Sequence, residues 1–189
     1  MGYRISKVYT KTGDQGQTAL SDNKRIFKHH PMVEMIGQID SLNASIGVVV
    51  AFSDNKSINE TLQHIQHQLF NIGGHLSYPE SPSISDADIK HLEDMIDRYN
   101  DQLPPLKEFI LPGGSKAASL CHQARTTARA VERYYVELMQ KEIIQNKMIL
   151  QYLNRLSDLL FVLARYFNYD QNHIETLWAS HRVTTQQND

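Results

Sequence analysis

The chain has 189 residues, of which 41% are apolar, so it is long and apolar enough for one globular domain with a sizeable core. Its formal net charge of −2 excludes the strongly basic balance typical of nucleic-acid-binding proteins, and we expect no nucleic acid partner. The single cysteine, Cys121, excludes an intrachain disulfide and favours a reducing compartment such as the cytoplasm. No signal-peptide core and no apolar run of about 20 residues is apparent, so we expect no membrane partner.

Residues 1–30 are polar and contain a glycine-bearing turn, residues 9–18, with the sequence YTKTGDQGQT. They show no sustained helical period, which predicts an ordered loop or a short strand. Gly13 and Gly16 permit left-handed turns that point backbone N–H groups into one concavity, which suits phosphate oxygens. The pattern is not that of a P-loop, and by itself it is more typical of an ordinary turn. The candidate phosphate ligands are Thr10, Lys11, Thr12, Gly13, Gly16 and Thr18, with Asp14 facing either the loop or a bound Mg²⁺.

Five later segments show apolar residues at the three-to-four spacing of amphipathic helices. They span residues 32–49, 57–76, 85–99, 115–138 and 148–169. Ser57 with Glu60, and Ser85 with Asp88, predict capping boxes at two of their starts. Almost no segment shows strand alternation, so the predicted fold is all-α. We expect a single domain, residues 1–189, with an ordered nucleotide-binding loop (1–30), a five-helix bundle (31–169) and a polar tail (170–189) that frays at its end.

The fourth segment carries a cationic stripe. Arg125, Arg129 and Glu132 follow an i, i+4, i+7 course on it, and His122 lies one turn earlier on the same side. Two arginines four residues apart repel by roughly 0.2–0.5 kcal/mol unless an anion or a carboxylate lies between them. Alanines flank the stripe and arginine favours bidentate partners, so the pattern indicates an anion site more than a solvated charged face. Together with the N-terminal turn, it points to a nucleotide enzyme.

Two polar groups interrupt otherwise apolar helical stripes. Asp40 lies in the first helix, four residues after Ile36, and a buried carboxylate needs a partner, for which Arg125 is the candidate. Asn154 lies one turn before Asp158 on the most apolar helix, where both are either satisfied core groups or contacts of a ligand between helices. The nine histidines form no cluster with metal-ligand spacing, so we expect no metal held by protein ligands alone.

Three motifs in this order, YTKTGDQGQT, FILPGG with ARTTARAVER, and YLNRLSDLLF, make the chain resemble the PduO-type ATP:cob(I)alamin (corrinoid) adenosyltransferase family. The resemblance runs from about Tyr9 to Tyr169. It implies a five-helix bundle that assembles as a homotrimer with active sites between subunits. It also implies transfer of the 5′-deoxyadenosyl group of ATP to cob(I)alamin, giving adenosylcobalamin and triphosphate. ATP with Mg²⁺ and cobalamin are the expected ligands, and a flavoprotein reductase and a cobalamin-dependent acceptor enzyme are the expected partners.

The resemblance further implies a role for each site residue. The N-terminal loop, joined by Lys28, is expected to bind the triphosphate. Asp40 and Arg125 match a salt bridge that holds the corrinoid-side geometry across a subunit boundary, and Phe109 matches the aromatic that displaces the lower axial ligand of the corrinoid. The positions that match nucleotide ligands are Arg129, Glu132, Arg133 and Asn154. The catalytic set is expected to be Phe109, Asp40, Arg125 and Arg129.

Some positions depart from the family pattern. Ala130 stands where a second arginine is usual, and Met32 and Ile36 stand where an arginine and a tyrosine are common. These departures lie around the sites and keep two alternatives open. The first is an ATP- or corrinoid-binding module for delivery or sensing without turnover. The second is a structural protein whose helix faces mediate assembly.

Overall fold

The computed structural model describes residues 7–21 and 25–179. Two short strands, β1 (Gln17–Ala19) and β2 (Arg25–Phe27), precede five helices. The helices are α1 (Pro31–Phe52), α2 (Lys56–Ser77), α3 (Asp86–Asn100), α4 (Lys116–Gln140) and α5 (Lys147–Asp170). The prediction of an all-α, five-helix bundle is confirmed.

Of the two capping boxes predicted from the sequence, the one at the start of α3 is confirmed and the one at the start of α2 is wrong. Ser85 and Asp88 form the predicted capping box at the start of α3. At α2 the cap is Asn55, whose Oδ1 accepts the backbone N–H of Ile58 at 3.1 Å, so Ser57 lies inside the first turn. Asparagine caps a helix at least as well as serine, and its position decides where the helix begins.

The helices pack as a bundle in which α4 lies between α1 and α5, while α2 packs on α1 and α3 packs on α5. The core between them is apolar and close-packed. Tyr135, Tyr152 and Phe167 are its largest fully buried side chains. Each such side chain stabilises the fold by roughly 1.5–3 kcal/mol, so the helix axes that carry the candidate ligands are firmly fixed.

Helix α1 is more apolar than its place in the bundle requires. Among the described residues it alone is long and apolar enough to cross a bilayer, with a mean hydropathy of 1.4 over an 18-residue window. The helix is not a continuous apolar run, since it contains Glu34 and Asp40. A share of 33% of that window is buried, and the apolar residues Val48 and Phe52 of this helix are exposed. The helix therefore offers an apolar surface outside the bundle.

The N-terminal segment is a hairpin attached to α2. β1 and β2 pair antiparallel, with Thr18 opposite Ile26. Ser21, in the connection between them, has its Oγ 2.8 Å from the Oγ of Ser77 at the end of α2, and its backbone N–H donates to the same oxygen at 3.1 Å. The predicted loop or short strand is thus a two-stranded hairpin docked on the C-terminal end of α2.

The segment that follows α5 turns back and pairs with residues 109–111. The backbone N–H of Leu111 donates to the carbonyl of Thr176 at 2.8 Å, and that of Trp178 donates to the carbonyl of Phe109 at 2.7 Å. Sequence analysis described this tail only as polar. Its predicted fraying at residues 184–189 lies outside the described residues.

Candidate active site

The N-terminal turn takes left-handed geometry at one predicted position and at one that was not predicted. Gly16 has φ +78°, as expected, but Gly13 does not have a positive φ, and Lys11 takes the left-handed conformation instead, with φ +59°. The N–H of Gly16 donates to the carbonyl of Gly13 at 3.1 Å, and the N–H of Asp14 faces the carbonyl of Lys11 at 3.4 Å. Two short turns in succession therefore shape residues 11–16.

A cation lies close to Gly13. A side chain at Gly13 would place its Cβ 3.3 Å from Nζ of Lys28, whose own backbone N–H donates to the carbonyl of Gly16 at 2.9 Å. The hydroxyl oxygens of Thr10 and Thr12 lie 2.9 Å apart on the same exposed turn. The structure thus brings the predicted cation, two hydroxyls and the turn into one surface. Asp14 is exposed beside them, and Thr18 is paired in β1.

Sequence analysis missed Arg25, which holds this turn in place. Its Nη2 donates to the backbone carbonyl of Thr12, and its Nε lies 3.4 Å from Oε1 of Gln17. Arg25 occupies the strand position opposite Ala19, so the hairpin pairing points it back toward the turn. The sequence shows a basic residue, Arg25, two positions before Phe27. Its partner could not be predicted, because the register in which β1 pairs with β2 is not visible in the sequence.

On the other side of the bundle, the predicted nucleotide ligands are joined by a chain of polar side chains. Nδ2 of Asn154 on α5 donates to Oε1 of Glu132 on α4 at 2.9 Å. Oδ1 of Asn154 accepts from Arg155 at 2.8 Å, and Arg155 in turn pairs with Glu93 on α3 at 3.0 Å. This chain fixes the direction of Asn154 and Glu132, and neither Arg155 nor Glu93 was predicted. Asp158 lies one turn further along α5 and is exposed.

The arginines of the stripe are short of partners within the chain. Arg129 and Arg133 are exposed and make no ion pair with a carboxylate of the described residues. The guanidinium of Arg125 lies over the ring of Phe161, 5.9 Å from its centroid, and its buried Nε has no hydrogen-bond partner among residues 7–21 and 25–179. Burial, and then the charge of Arg129, lower the pKa of Arg125. A buried donor without an acceptor costs about 1–3 kcal/mol of stability. This cost indicates that the Nε of Arg125 is suited to a partner from outside the described residues.

His122, one turn before Arg125, is only 3% exposed, and neither of its ring nitrogens has a hydrogen-bond partner. Its ring lies 6.2 Å from that of Phe161. Burial, and then the charge of Arg125, lower the pKa of His122 to about 4. The imidazole is therefore neutral near pH 7 and adds no charge to the stripe.

The expected contact between Asp40 and Arg125 is not made within the chain. Asp40 is exposed. It lines a groove of about 570 Å³ between α1 and α2, together with Phe70 and Gly73. Arg125 faces α5, on the other side of α4. No ion pair joins the two charges among the described residues, and the prediction of a buried Asp40 is wrong for the isolated chain.

Residues 109–111, which make an isolated β-bridge with the tail and are called here the Phe109 strand, present Phe109 outward. Its side chain is 74% exposed, and its ring centroid lies 6.2 Å from that of Trp178 in the docked tail. The other apolar side chain of the strand that reaches solvent is Leu111, which is 50% exposed. A large exposed aromatic on a paired strand is suited to contact a flat apolar ligand.

The turn between Phe109 and α4 is fixed by Asn168 of α5, which sequence analysis did not assign. Oδ1 of Asn168 accepts the N–H of Ser115 at 2.9 Å, and its Nδ2 donates to the carbonyl of Gly113 at 3.0 Å. Gly114 has φ +107°, and a Cβ there would lie 2.1 Å from Oδ1 of Asn168. Only glycine fits, and the Oγ of Ser115 then caps α4 by accepting the N–H of Ala118.

The candidate ligands thus form two groups. The loop half comprises residues 10–18, Lys28 and Asp40, and Ser21 of the hairpin lines the same groove as Asp40. The helix half comprises Arg125, Arg129 and Glu132 of α4 and Asn154 of α5. Across residues 7–21 and 25–179, no hydrogen bond or ion pair joins the two halves.

Comparison with known proteins decides the family. The family profile described as cobalamin adenosyltransferase matches residues 8–167. The chain belongs to the cobalamin adenosyltransferase family. A cobalamin adenosyltransferase of Cupriavidus metallidurans is 44% identical over 183 residues, covering 96% of this chain and 99% of that one. A corrinoid adenosyltransferase of Bacillus subtilis is 44% identical over 169 residues, covering 86% of each chain.

A solved adenosyltransferase structure has the same fold. It is a variant of the PduO-type ATP:corrinoid adenosyltransferase of Lactobacillus reuteri, complexed with cobalamin and ATP. It matches with a TM-score of 0.87 and 36% identity, covering 92% of this chain and 100% of that one. The resemblance that the three motifs indicated is therefore confirmed for the family and for the helical bundle.

Proposed function

We propose that this protein transfers the 5′-deoxyadenosyl group of ATP to cob(I)alamin and releases triphosphate. The observation that carries the proposal is a set of cations that make no ion pair with the described residues, on an adenosyltransferase fold. Lys28 lies against the Gly13 turn, and Arg129 and Arg133 extend into solvent on α4. An anion with several charges, such as a triphosphate, would give these cations the partners that they lack.

The reaction requires the site to stabilise negative charge on the leaving group and to orient the two substrates. The electron pair of cob(I)alamin forms a bond from cobalt to the 5′ carbon of ATP, while the bond from that carbon to oxygen breaks and triphosphate leaves with its electron pair. Negative charge accumulates on the leaving group, so Lys11, Lys28 and Arg129 stabilise the transition state. No proton moves in this step, so no general base is required, and a neutral, buried His122 is compatible with it.

The nucleotide is oriented by the polar chain on α4 and α5. Glu132 and Asn154, held by Arg155, present fixed acceptors and donors to the nucleoside. Mg²⁺ is usually held by one or two carboxylates together with phosphates and waters. Asp14, an exposed carboxylate on the turn, fits that requirement, and among the described residues no cluster of three or more ligating side chains is present or needed.

The corrinoid is proposed to lie against Phe109. An exposed ring on a rigid strand excludes water and axial ligands from one face of the cobalt, which makes reduction to the nucleophilic state easier. Holding the cobalt in line with the 5′ carbon is the other task, and orientation of this kind supplies a large share of rate enhancement. The cation of Arg125 and the carboxylate of Asp40 would hold the corrinoid side.

We further propose that the loop half and the helix half of one site come from two copies of the chain, arranged as a homotrimer. Asp40 of one copy would pair with Arg125 of the next, giving the buried Nε its acceptor. Such a contact between different surfaces closes into a ring when the rotation permits. The exposed apolar side chains of α1 and α2, Val48, Phe52 and Phe70, supply surface for this contact.

The reduced cysteine and the reaction together suggest the compartment and the protein partners of the enzyme. We place it in the cytoplasm, where Cys121, buried with its thiol donating to the carbonyl of Leu160 at 3.2 Å, would stay reduced. Burial raises the pKa of this thiol, so it is not a nucleophile. A flavoprotein reductase is the expected source of the electrons, and a cobalamin-dependent enzyme is the expected acceptor of the product.

The decisive test is product formation. Incubation with ATP, cobalamin and a strong reductant without oxygen should give a light-sensitive product with a cobalt–carbon bond, and no product would overturn the proposal. One feature favours a binding module instead: Ala130, where the family pattern has arginine, lines a small groove with Thr127 and Tyr134. Calorimetric binding of ATP without any adenosyl product would support that second function.

A further inference from the structure

The most deeply buried ion pair of the described residues joins α5 to the tail that pairs with residues 109–111. The side chain of Arg165 on α5 is 4% exposed, and its Nε lies 3.2 Å from both carboxylate oxygens of Glu175. Its Nη2 donates to the carbonyl of Pro104 at 2.8 Å, in the segment that leads from α3 toward Phe109. One arginine therefore ties three parts of the chain together.

Glu175 belongs to the docked tail, so the pair fixes the tail to α5. The tail is in turn paired with the strand through the bonds from Leu111 to Thr176 and from Trp178 to Phe109. The strand thus lies between two anchors on α5. These are Asn168 at its C-terminal turn and the Arg165–Glu175 pair, which holds the tail.

The position of Phe109 depends on this arrangement. Its side chain is 74% exposed, and Trp178 is the one aromatic ring recorded against it within the described residues. Such a ring is not placed by core packing, so its position follows the backbone of residues 109–111. That backbone takes its hydrogen bonds from the tail. Loss of the tail would free the ring to move.

We propose that Arg165 and Glu175 are positioning residues for Phe109, acting by clamping residues 173–178 along the Phe109 strand. The inference rests on the proposed function, because it assigns Phe109 to the corrinoid. Buried ion pairs contribute little net stability compared with apolar residues of similar volume. A pair kept here is better explained by the geometry that it imposes on both strands.

The clamp can be measured without any activity assay. Trp178 is the sole tryptophan of the chain and lies in the clamped tail, so the anisotropy of its fluorescence reports whether the tail is docked. Glu175→Gln keeps the shape of the side chain and removes its charge. The anisotropy should fall in this variant. The matched control is Glu137→Gln, which removes the carboxylate of an exposed pair with Lys141 on α4 and should leave the anisotropy unchanged.

The consequence for the cobalt is measured separately. With ATP and cob(II)alamin, the absorption band of cobalt stripped of its axial ligand should be about tenfold weaker in Glu175→Gln than in the parent, since a displacement near 1 Å can cost about that much or more. ATP affinity by calorimetry should stay within about twofold, which corresponds to less than about 0.5 kcal/mol. A general loss of structure would weaken both, so the split separates positioning from stability.

A second variant tests the positioning of Phe109 by the tail if Glu175→Gln folds poorly. Trp178→Pro removes the N–H donor to the carbonyl of Phe109 and leaves the ion pair untouched. It should weaken the same cobalt band, and Trp178→Phe, which keeps both the donor and an aromatic ring, should restore it.

Unchanged anisotropy in Glu175→Gln would overturn the clamp, whatever the activity. A fall in anisotropy with an unchanged cobalt band would overturn the positioning role. A parent protein that forms neither the stripped cobalt nor an adenosyl product would refute the proposed function and, with it, the assignment of this clamp to the corrinoid. A fall in both signals, with ATP affinity retained, supports the inference.

Discussion

At the scale of single residues, the candidate ligands take their directions from neighbours that are not themselves ligands. Glu132 is held by Asn154, and Asn154 by Arg155. The turn that carries Lys11 is held by Arg25. Pre-organised groups stabilise a developing charge without rearranging at the moment of reaction. The supporting residues therefore matter to the reaction as much as the ligands do.

Replacing the two kinds of ligand should produce different defects. Arg129→Ala removes an exposed cation of the helix half, so it should raise the KM for ATP by about tenfold or more, as expected for a lost charged contact. Phe109→Ala should spare ATP binding and slow the cobalt step. Steady-state kinetics with each substrate varied in turn would measure both effects. Equal damage to the use of ATP and of cobalamin in either variant would contradict the division.

Gly114→Ala should destabilise the fold at the start of α4. The residue has φ +107°, and the added Cβ would overlap Oδ1 of Asn168, so we expect a loss of about 1–3 kcal/mol in the free energy of unfolding. Gly113→Ala is the matched control, since Gly113 does not have a positive φ and a Cβ there has no neighbour within 4 Å. Denaturant titration would compare the two, and equal stability would show that the turn is not constrained as described.

Sequence analysis predicted the residues whose role depends on near neighbours and missed those whose partners are distant. Gly16 and the Ser85 cap follow from local turn and capping preferences, and both lie as expected. Arg165 and Asn168 looked like ordinary residues of an apolar helix. Their partners lie in separate loops, and only the folded chain brings a carboxylate or a carbonyl to each of them.

At the scale of elements, the five helices were predictable because each repeats its apolar residues at helical spacing over four turns or more. The two strand pairings were not. β1 and β2 are three residues each, and the tail pairs with a strand more than 60 residues earlier in the chain. Three residues show too little alternation to reveal a strand, and pairing across such a distance leaves no periodic signal.

The hairpin should act on ATP through Arg25. Arg25→Ala removes the donor that holds the carbonyl of Thr12, so the turn should lose its fixed shape and bind ATP about tenfold more weakly. The free energy of unfolding should change little, because the hairpin lies outside the core. Calorimetric titration with ATP measures the effect. Lys90→Ala, which removes an exposed cation paired with Asp94 on α3, is the control and should bind ATP as the parent does. Unchanged affinity in Arg25→Ala would mean that the hairpin does not shape the turn.

At the scale of the whole molecule, the separation of the candidate site into two halves supports the proposal that a complete site needs two copies of the chain. The loop half lies with α1 and α2, and the helix half lies between α4 and α5. Asp40 is an exposed carboxylate in the first half, and Arg125 has in the second a buried donor without an acceptor among the described residues. Each half has what the other lacks, so the proposed contact between neighbouring copies would satisfy both.

Mixing two variants that are each impaired in the use of ATP should therefore restore activity, when it is measured at ATP concentrations well below their raised KM. Lys28→Ala damages only the loop half and Arg129→Ala only the helix half. In assemblies refolded from equal amounts of both, the copy that supplies the loop half of a site is intact there with a probability of one in two. The neighbouring copy that supplies the helix half is intact there with the same, independent probability. The mixture should regain about one quarter of the parent activity, as for any heterologous contact between unlike copies. Adenosyl transfer measured before and after mixing gives the fraction.

The control is a mixture of Arg129→Ala with Asn154→Ala, in which both changes fall on the helix half. No site between copies then combines an intact Arg129 with an intact Asn154, and the activity should stay at the level of the separate variants. Recovery in this control would mean that the helix half is itself divided between copies. Without recovery in the first mixture, Lys28 and Arg129 of one site would belong to the same copy. The proposed pairing of Asp40 with Arg125 of a neighbouring copy would then lose its reason, because a complete site would need no second chain.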